Sequence, residues 1–124
     1  MRDTDHDFSV TSTPDGGVCI IAVAGQADLH TAPELRSAIA SAIDHGMVSL
    51  VIDLSETTFI DSMTLGVLLG ALKRLAPLSG RLTIACPDRH LRRVFEITSL
   101  DRVLDLAESR DEAVALLAVH GTSS

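Results

Sequence analysis

One hundred and twenty-four residues and 13.1 kDa suit a single domain with one hydrophobic core and leave no room for a second. Hydrophobic residues at 46% and charged residues at 22% exclude a chain that is disordered along its length. Ten Lys and Arg against seventeen Asp and Glu give a net charge of −7, with Lys73 the single lysine, so nucleic acid is excluded as a partner: its phosphates would be repelled from most faces.

Residues 1–7, Met1-Arg2-Asp3-Thr4-Asp5-His6-Asp7, read as a flexible acidic arm that leads into no apolar secretion segment. A single domain is expected over 8–120, with a flexible tail at 121–124. Residues 8–13 alternate well enough for a first strand, closed by the turn Pro14-Asp15-Gly16-Gly17. Residues 18–24 are a continuous apolar run rich in β-branched side chains, predicted to be a strand buried on both faces. Leu35, Ala38, Ile39, Ala42 and Ile43 then fall at helical spacing. Thr31-Ala32-Pro33-Glu34 predicts a capping box at the start of that helix and Gly46 marks its end.

Residues 48–54 predict another strand, joined by a short link at 55–60 to a second helix that starts at Asp61-Ser62 and carries the stripe Leu65, Leu68, Leu69, Leu72, Leu75. Pro77 and Gly80 close it before a strand at 81–86. Leu91, Val94, Phe95 and Thr98 mark a third helical face, 103–106 a short strand, and Ser109-Arg110-Asp111-Glu112 a second capping box leading to a helix that buries Ala113, Leu116 and Leu117. The order β-β-α-β-α-β-α-β-α predicts an α/β fold: a mostly parallel sheet with an opening antiparallel hairpin and four helices.

Chemistry is expected where a buried strand ends and a helix begins at Asp61-Ser62, because strand ends and adjoining helix N-termini form the ligand edge of open α/β sheets. Either residue can cap the helix. A phosphate on Ser62 would bring about 1.5 to 2 negative charges next to Asp61, held by the helix N-terminus and hostile to an acidic partner surface.

Asp53-Leu54-Ser55 followed by Phe59-Ile60-Asp61-Ser62-Met63-Thr64-Leu65-Gly66-Val67-Leu68 resembles the signature of STAS domains of the bacterial anti-sigma factor antagonist group. Gly25-Gln26-Ala27-Asp28-Leu29-His30-Thr31-Ala32-Pro33-Glu34-Leu35 and Arg93-Val94-Phe95-Glu96-Ile97-Thr98-Ser99-Leu100-Asp101 are similar to further segments of that family, so that the likeness spans 8–118. The resemblance implies a cytoplasmic regulator of transcription whose Ser62 is phosphorylated by its partner, an anti-sigma factor with serine kinase activity, and reset by a serine phosphatase. It implies a partner surface of Asp28, Asp61, Ser62, Met63, Thr64 and Leu65. Met63 and Thr64 depart from the family's pattern of a small residue and then Gly, so kinase docking could be altered here and Thr64 becomes an alternative acceptor. Asp28 has a second reading as the head of an Asx turn, and Asp53 as a receiver of backbone hydrogen bonds.

A STAS accessory subunit docked on a membrane transporter, with no phosphorylation cycle, is the alternative function. A small-nucleotide binder has less support, with three Phe and no Tyr or Trp to stack a base. The basic run Arg89, His90, Arg92, Arg93 reads as a solvated face or a contact for an acidic partner. Cys86 and His90 lack further metal ligands at suitable spacing, and Cys19 and Cys86 read as buried hydrophobes. Gly66-x-x-x-Gly70 predicts close helix packing on the sheet. The residues 16–27 and 62–72 are free of charge but shorter than the roughly 18 to 20 apolar residues of a span, so no direct membrane insertion is expected. With no phosphate loop, no Gly-x-Ser-x-Gly elbow and no His placed as a base for Ser62, the sequence predicts no enzyme activity and no cofactor or metal.

Overall fold

The computed structural model describes residues 8–121; the arm expected at 1–7, and residues 122–124 of the tail expected at 121–124, lie outside the described residues. Gly16 and Gly17, at φ 60° and 90°, turn β1 (Ser9–Asp15) back onto β2 (Val18–Ala27). Two successive positive φ angles give the turn whose twist matches an antiparallel pair, and glycine takes them without a Cβ clash. Thereafter strands alternate with helices: α1 (Ala32–Asp44), β3 (Ser49–Ile60), α2 (Ser62–Leu75), β4 (Arg81–Ala85), α3 (Arg89–Ile97), β5 (Asp105–Ala107) and α4 (Arg110–Gly121). The sheet order is β1-β2-β3-β4-β5, with β1 antiparallel to β2 and every other neighbour parallel.

The alternation along β3 builds both cores. Leu50, Ile52 and Leu54 turn toward α1, α2 and α3, where they meet Leu35, Ile39, Leu68, Leu75 and Phe95. Val51 turns the other way, onto Ala113 and Leu117 of α4 together with Ile20, Ala85 and Ala107. Each such branched side chain contributes roughly 1.5–3 kcal/mol through burial. The Thr83 hydroxyl donates to the Ala113 carbonyl at 3.0 Å, tying β4 to α4 on the thinner side.

Four local expectations are corrected. The link expected at 55–60 is the second half of β3, whose polar Ser55-Glu56-Thr57-Thr58 sequence pairs with the end of β2 through two register shifts. Such bulges break the two-residue period that marks a strand. The strand expected at 103–106 forms two residues later, because residues 100–102 make a 3-10 turn and Leu104 is buried from an irregular segment. In α2 the buried face holds Thr64, Leu65, Val67, Leu68, Ala71 and Leu75, with Leu69 and Leu72 only half-buried.

At α1 no side chain caps from Thr31. The reciprocal pair sits three residues earlier: the Asp28 amide donates to Thr31 Oγ1 at 2.8 Å and the Thr31 amide donates to Asp28 Oδ1 at 3.3 Å. The second predicted box does form at α4, where Glu112 N–H donates to Ser109 Oγ at 3.1 Å; the Glu112 carboxylate reaches back to the Glu108 amide, one residue beyond the cap.

Gly80 ends the turn before β4. A Cβ there would stand 2.7 Å from the Val48 carbonyl oxygen and 2.8 Å from Leu75 Cδ2. The Gly80→Ala variant is therefore expected to lose about 1–3 kcal/mol in urea unfolding, since a backbone oxygen cannot step aside as a side chain can; wild-type stability would show that the α2–β4 turn yields freely.

Candidate functional site

The parallel ends of β2 and β3 form the edge. Ala27 pairs with Ile60, and the Asp61 amide donates to the Ala27 carbonyl at 3.1 Å, so the segments that begin at Asp28 and Asp61 leave the sheet side by side. Asp28 folds its own loop: Oδ1 accepts from the His30 amide at 2.9 Å, and its carbonyl accepts from the amides of Thr31 and Ala32. This is the Asx-turn reading of Asp28. The Thr31 hydroxyl lies 3.0 Å from the Gln26 carbonyl, anchoring the loop to the end of β2.

Asp61, not Ser62, is the N-cap of α2. Its backbone is extended (φ −116°, ψ 179°) and Oδ1 accepts from the Thr64 amide at 3.0 Å. Extended geometry at the cap and a first-turn amide as donor are what an Asp cap requires. Ser62 is thereby left as the first residue of the helix, exposed, with its hydroxyl in no hydrogen bond among the described residues. Met63 beside it is 50% exposed, and the same edge displays Leu29 at 58% and Phe59 at 48%. Leu29, Phe59 and Met63 thus expose large apolar side chains in the segments that meet at this end of the sheet.

The other two predicted contact residues face inward. Leu65 is buried and Thr64 completely so, which removes the Thr64 hydroxyl from the reach of any kinase in this conformation. Thr64 Oγ1 also has no hydrogen-bond partner. A buried hydroxyl without a partner carries its desolvation cost uncompensated. Leu29 and Phe59 were not assigned to the surface from sequence, although their signal was present: both lie outside any helical stripe, in segments bounded by polar residues.

Asp53 stands at the first register shift of β3, where Ala22 pairs with Asp53 but Ala24 with Glu56. Its Oδ1 accepts from the Ser55 amide at 3.0 Å and the Ser55 hydroxyl at 2.5 Å, which fits the hydrogen-bond reading of this residue. Its Oδ2 accepts from Arg110 Nε at 2.9 Å and lies 2.8 Å from the second guanidinium nitrogen, a link between β3 and α4 that sequence gave no sign of. Burial pushes the carboxyl pKa up, but the Ser55 hydrogen bonds and Arg110 outweigh it and leave the pKa below the ordinary value.

The remaining candidates resolve simply. Arg89, Arg92 and Arg93 line a cavity of about 480 Å³ in which Glu96 and Glu108 also stand, so its charge is nearly balanced, and His90 is exposed outside it. Arg92 is occupied in part by the Cys86 and Ala107 carbonyls at 3.3 and 3.4 Å. Cys19 and Cys86 are free and buried, and burial pushes the Cys86 thiol up to about 11, unsuited to ligation or attack. Among the described residues no three His, Cys, Asp or Glu side chains group as a metal site, and no helix is long and apolar enough to cross a membrane. Gly66 and Gly70 are not closely packed among the described residues: a Cβ on either meets no atom within 4 Å, which overturns the packing expectation.

A five-stranded mixed sheet that presents a helix-start serine on its carbonyl edge defines a small α/β domain built to display that edge. The STAS domain family model matches residues 10–113, and the chain belongs to this family. It is 35% identical over 112 residues to the anti-sigma-B factor antagonist of Listeria monocytogenes, an alignment covering 90% of this chain and 87% of that one. The crystal structure of an anti-sigma factor antagonist from Mycobacterium paratuberculosis superposes with a TM-score of 0.78 at 28% identity, covering 90% of this chain and 94% of the other. The Bacillus cell fate determinant SpoIIAA, solved in its phosphorylated form, shares the fold with a TM-score of 0.67 at 24% identity over 89% of this chain and 98% of that one.

Two measurements follow from this geometry. Thr64→Val removes the orphaned hydroxyl at constant shape and is expected to raise the free energy of unfolding by about 1 kcal/mol; a loss of stability would mean the hydroxyl has a partner. Because the Asp53 carboxyl is depressed in the fold, its contribution is present above the unfolded carboxylate value of about 4 and disappears as pH falls through the folded one. Arg110→Met should therefore be less stable than wild type by about 1–2 kcal/mol at pH 7, the half-exposed guanidinium limiting the effect. That gap should narrow below about pH 4. A gap independent of pH would place the effect in packing.

Proposed function

We propose that this protein is an anti-sigma factor antagonist switched at Ser62. In the unphosphorylated state it sequesters, in the cytoplasm, an anti-sigma factor that is itself a serine kinase, and so frees the sigma factor; phosphorylated, it lets go, and a serine phosphatase resets it. The observation that carries this reading is the division of roles at the start of α2: Asp61 takes the cap, and the Ser62 hydroxyl stands exposed and unengaged on an edge bordered by Leu29, Phe59 and Met63. The names of the relatives support the partner class, and the phosphorylated Bacillus protein supports the chemistry.

The physical basis of the switch is local. A neutral hydroxyl beside an exposed apolar side chain such as Met63 is a surface a partner can desolvate at little cost. A phosphoryl group adds about 1.5 to 2 negative charges beside Asp61 and the Asp28 loop, in a chain already at −7. Desolvating that group against the partner then costs more than the apolar contacts return. ATP and the transfer chemistry belong to the kinase, and this chain supplies only the acceptor. Thr64 and Leu65 act from beneath, as the packing that fixes the first turn of α2.

The test is capture from lysate of the source organism on wild-type, Ser62→Ala and Ser62→Glu baits side by side. A kinase-like anti-sigma factor is expected on the first two and at least tenfold depleted on the third. Equal retention of that kinase on all three removes the switch. Retention of one transporter component on all three assigns the domain to a permease complex instead, and Ser62 to a purely structural place.

A further inference from the structure

The parallel order of β2, β3 and β4 makes α1 and α2 run side by side in the same direction, away from the Ser62 edge. Between them lies a groove of about 360 Å³. Its floor is Ile39, Val67 and Ala71, each no more than 5% exposed. Its α2 wall is Gly66 and Gly70, where an added Cβ would meet open space. Glycine inside a helix is destabilising relative to alanine, and nothing among the described residues requires it at either position.

Charge says what the groove takes. Arg36, near the start of α1, and Arg74, at the end of α2, line its opposite ends. Arg36 makes no ion pair among the described residues, and Arg74 lies 3.7 Å from Asp44 with both side chains largely exposed, a weak pair that a better partner displaces. Two of the ten cations of an acidic protein thus stand at the ends of an apolar trough. From Gly66 to Arg74 α2 rises about 12 Å, room for two turns of a second helix.

We propose that this groove receives a helix of the anti-sigma factor, laid along α2 with small or apolar side chains against Gly66 and Gly70 and a carboxylate at each end against Arg36 and Arg74. The inference rests on the functional reading above and extends the contact from the Ser62 edge along the same helix, through Met63. Glycine at 66 and 70 lets the two helix backbones approach closely, which a side chain as large as leucine would prevent.

The experiment uses the anti-sigma factor of the same genome, purified, titrated against full-length wild type, Gly70→Leu, Gly70→Ala, Arg36→Glu and Arg74→Glu, with Ser62→Glu as control and thermal unfolding of each variant alongside. The groove predicts that Gly70→Leu and Gly70→Ala melt at or above the wild-type temperature while Gly70→Leu binds at least tenfold more weakly, and that each charge reversal weakens binding about tenfold or more. Wild-type affinity for Gly70→Leu, with Ser62→Glu still defective, overturns the groove and leaves the switch standing. Binding by none of the proteins overturns the anti-sigma reading and the groove with it. A wild-type dimer in sedimentation that Gly70→Leu dissociates would give the groove to a second copy and overturn the assignment.

Discussion

The middle strand of the sheet carries more residues than its neighbour, and much of the molecule follows from where the excess goes. Cys19 pairs with Leu50 and Ala27 with Ile60, so eight steps along β2 face ten along β3. The two extra residues sit in bulges after Asp53 and after Thr57. The first is held open by Asp53, which takes the Ser55 amide and hydroxyl and reaches Arg110 on α4. Past it, the Thr57 hydroxyl donates to the Val23 carbonyl at 2.7 Å and seals a position that the irregular ladder would leave unsatisfied. The second bulge re-aims the strand so that Phe59 lies exposed and Ile60 buried immediately before the cap. The display of the Ser62 edge is a consequence of register as much as of the Asp-Ser pair itself.

The start of α2 separates two tasks that a single residue could have combined. A serine that caps its own helix has its hydroxyl engaged with a backbone amide, and phosphorylation there would compete with the helix. With Asp61 in that place, the first turn is fixed whatever happens at Ser62. The helix N-terminus still favours added negative charge at its first residue. Under the proposed switch, structure and switching draw on different atoms, and a charge added at Ser62 leaves the Asp61 cap of α2 in place.

Much of this was legible in the sequence, and the failures have physical causes. The element order and the placing of the edge between β3 and α2 follow from period and caps that the packing respects, as at Gly46, which takes φ 84° just past the end of α1. Where the period is broken on purpose it misleads: the bulged half of β3 reads as a loop because its polar residues do not alternate, and its pairing depends on a strand more than thirty residues away. The Thr31 box failed for a different reason. Asp28 competes for the same hydroxyl and wins, because the pair so formed also closes the loop to the end of β2. The Arg110 contact joins residues 57 positions apart on two elements, and no local pattern encodes it. At the site itself, the Asp-Ser pair and Met63 could be placed from sequence, whereas the inward turn of Thr64 and Leu65 required the packing of α2 on the sheet.

Met63 and Thr64, adjacent in the first turn of α2, have opposite consequences. Thr64 points its extra volume into the protein, where it is fully buried and its hydroxyl is unpartnered. A partner approaching the edge meets the Thr64 backbone, whose amide is already taken by Asp61. Whatever Thr64 costs is therefore a cost in stability, and it leaves the shape of the exposed edge alone. Met63 is half exposed next to the serine, open to contact from outside. A flexible, polarizable thioether adapts to an apolar pocket more readily than a branched side chain does. A methionine there narrows close backbone approach at the first turn, while Gly66 and Gly70 keep it open along the helix. At the start of α2 the exposed bulk is thus concentrated in one side chain at the rim of the edge, where, on the function proposed above, it bears on which partner is chosen and hardly on whether the domain folds.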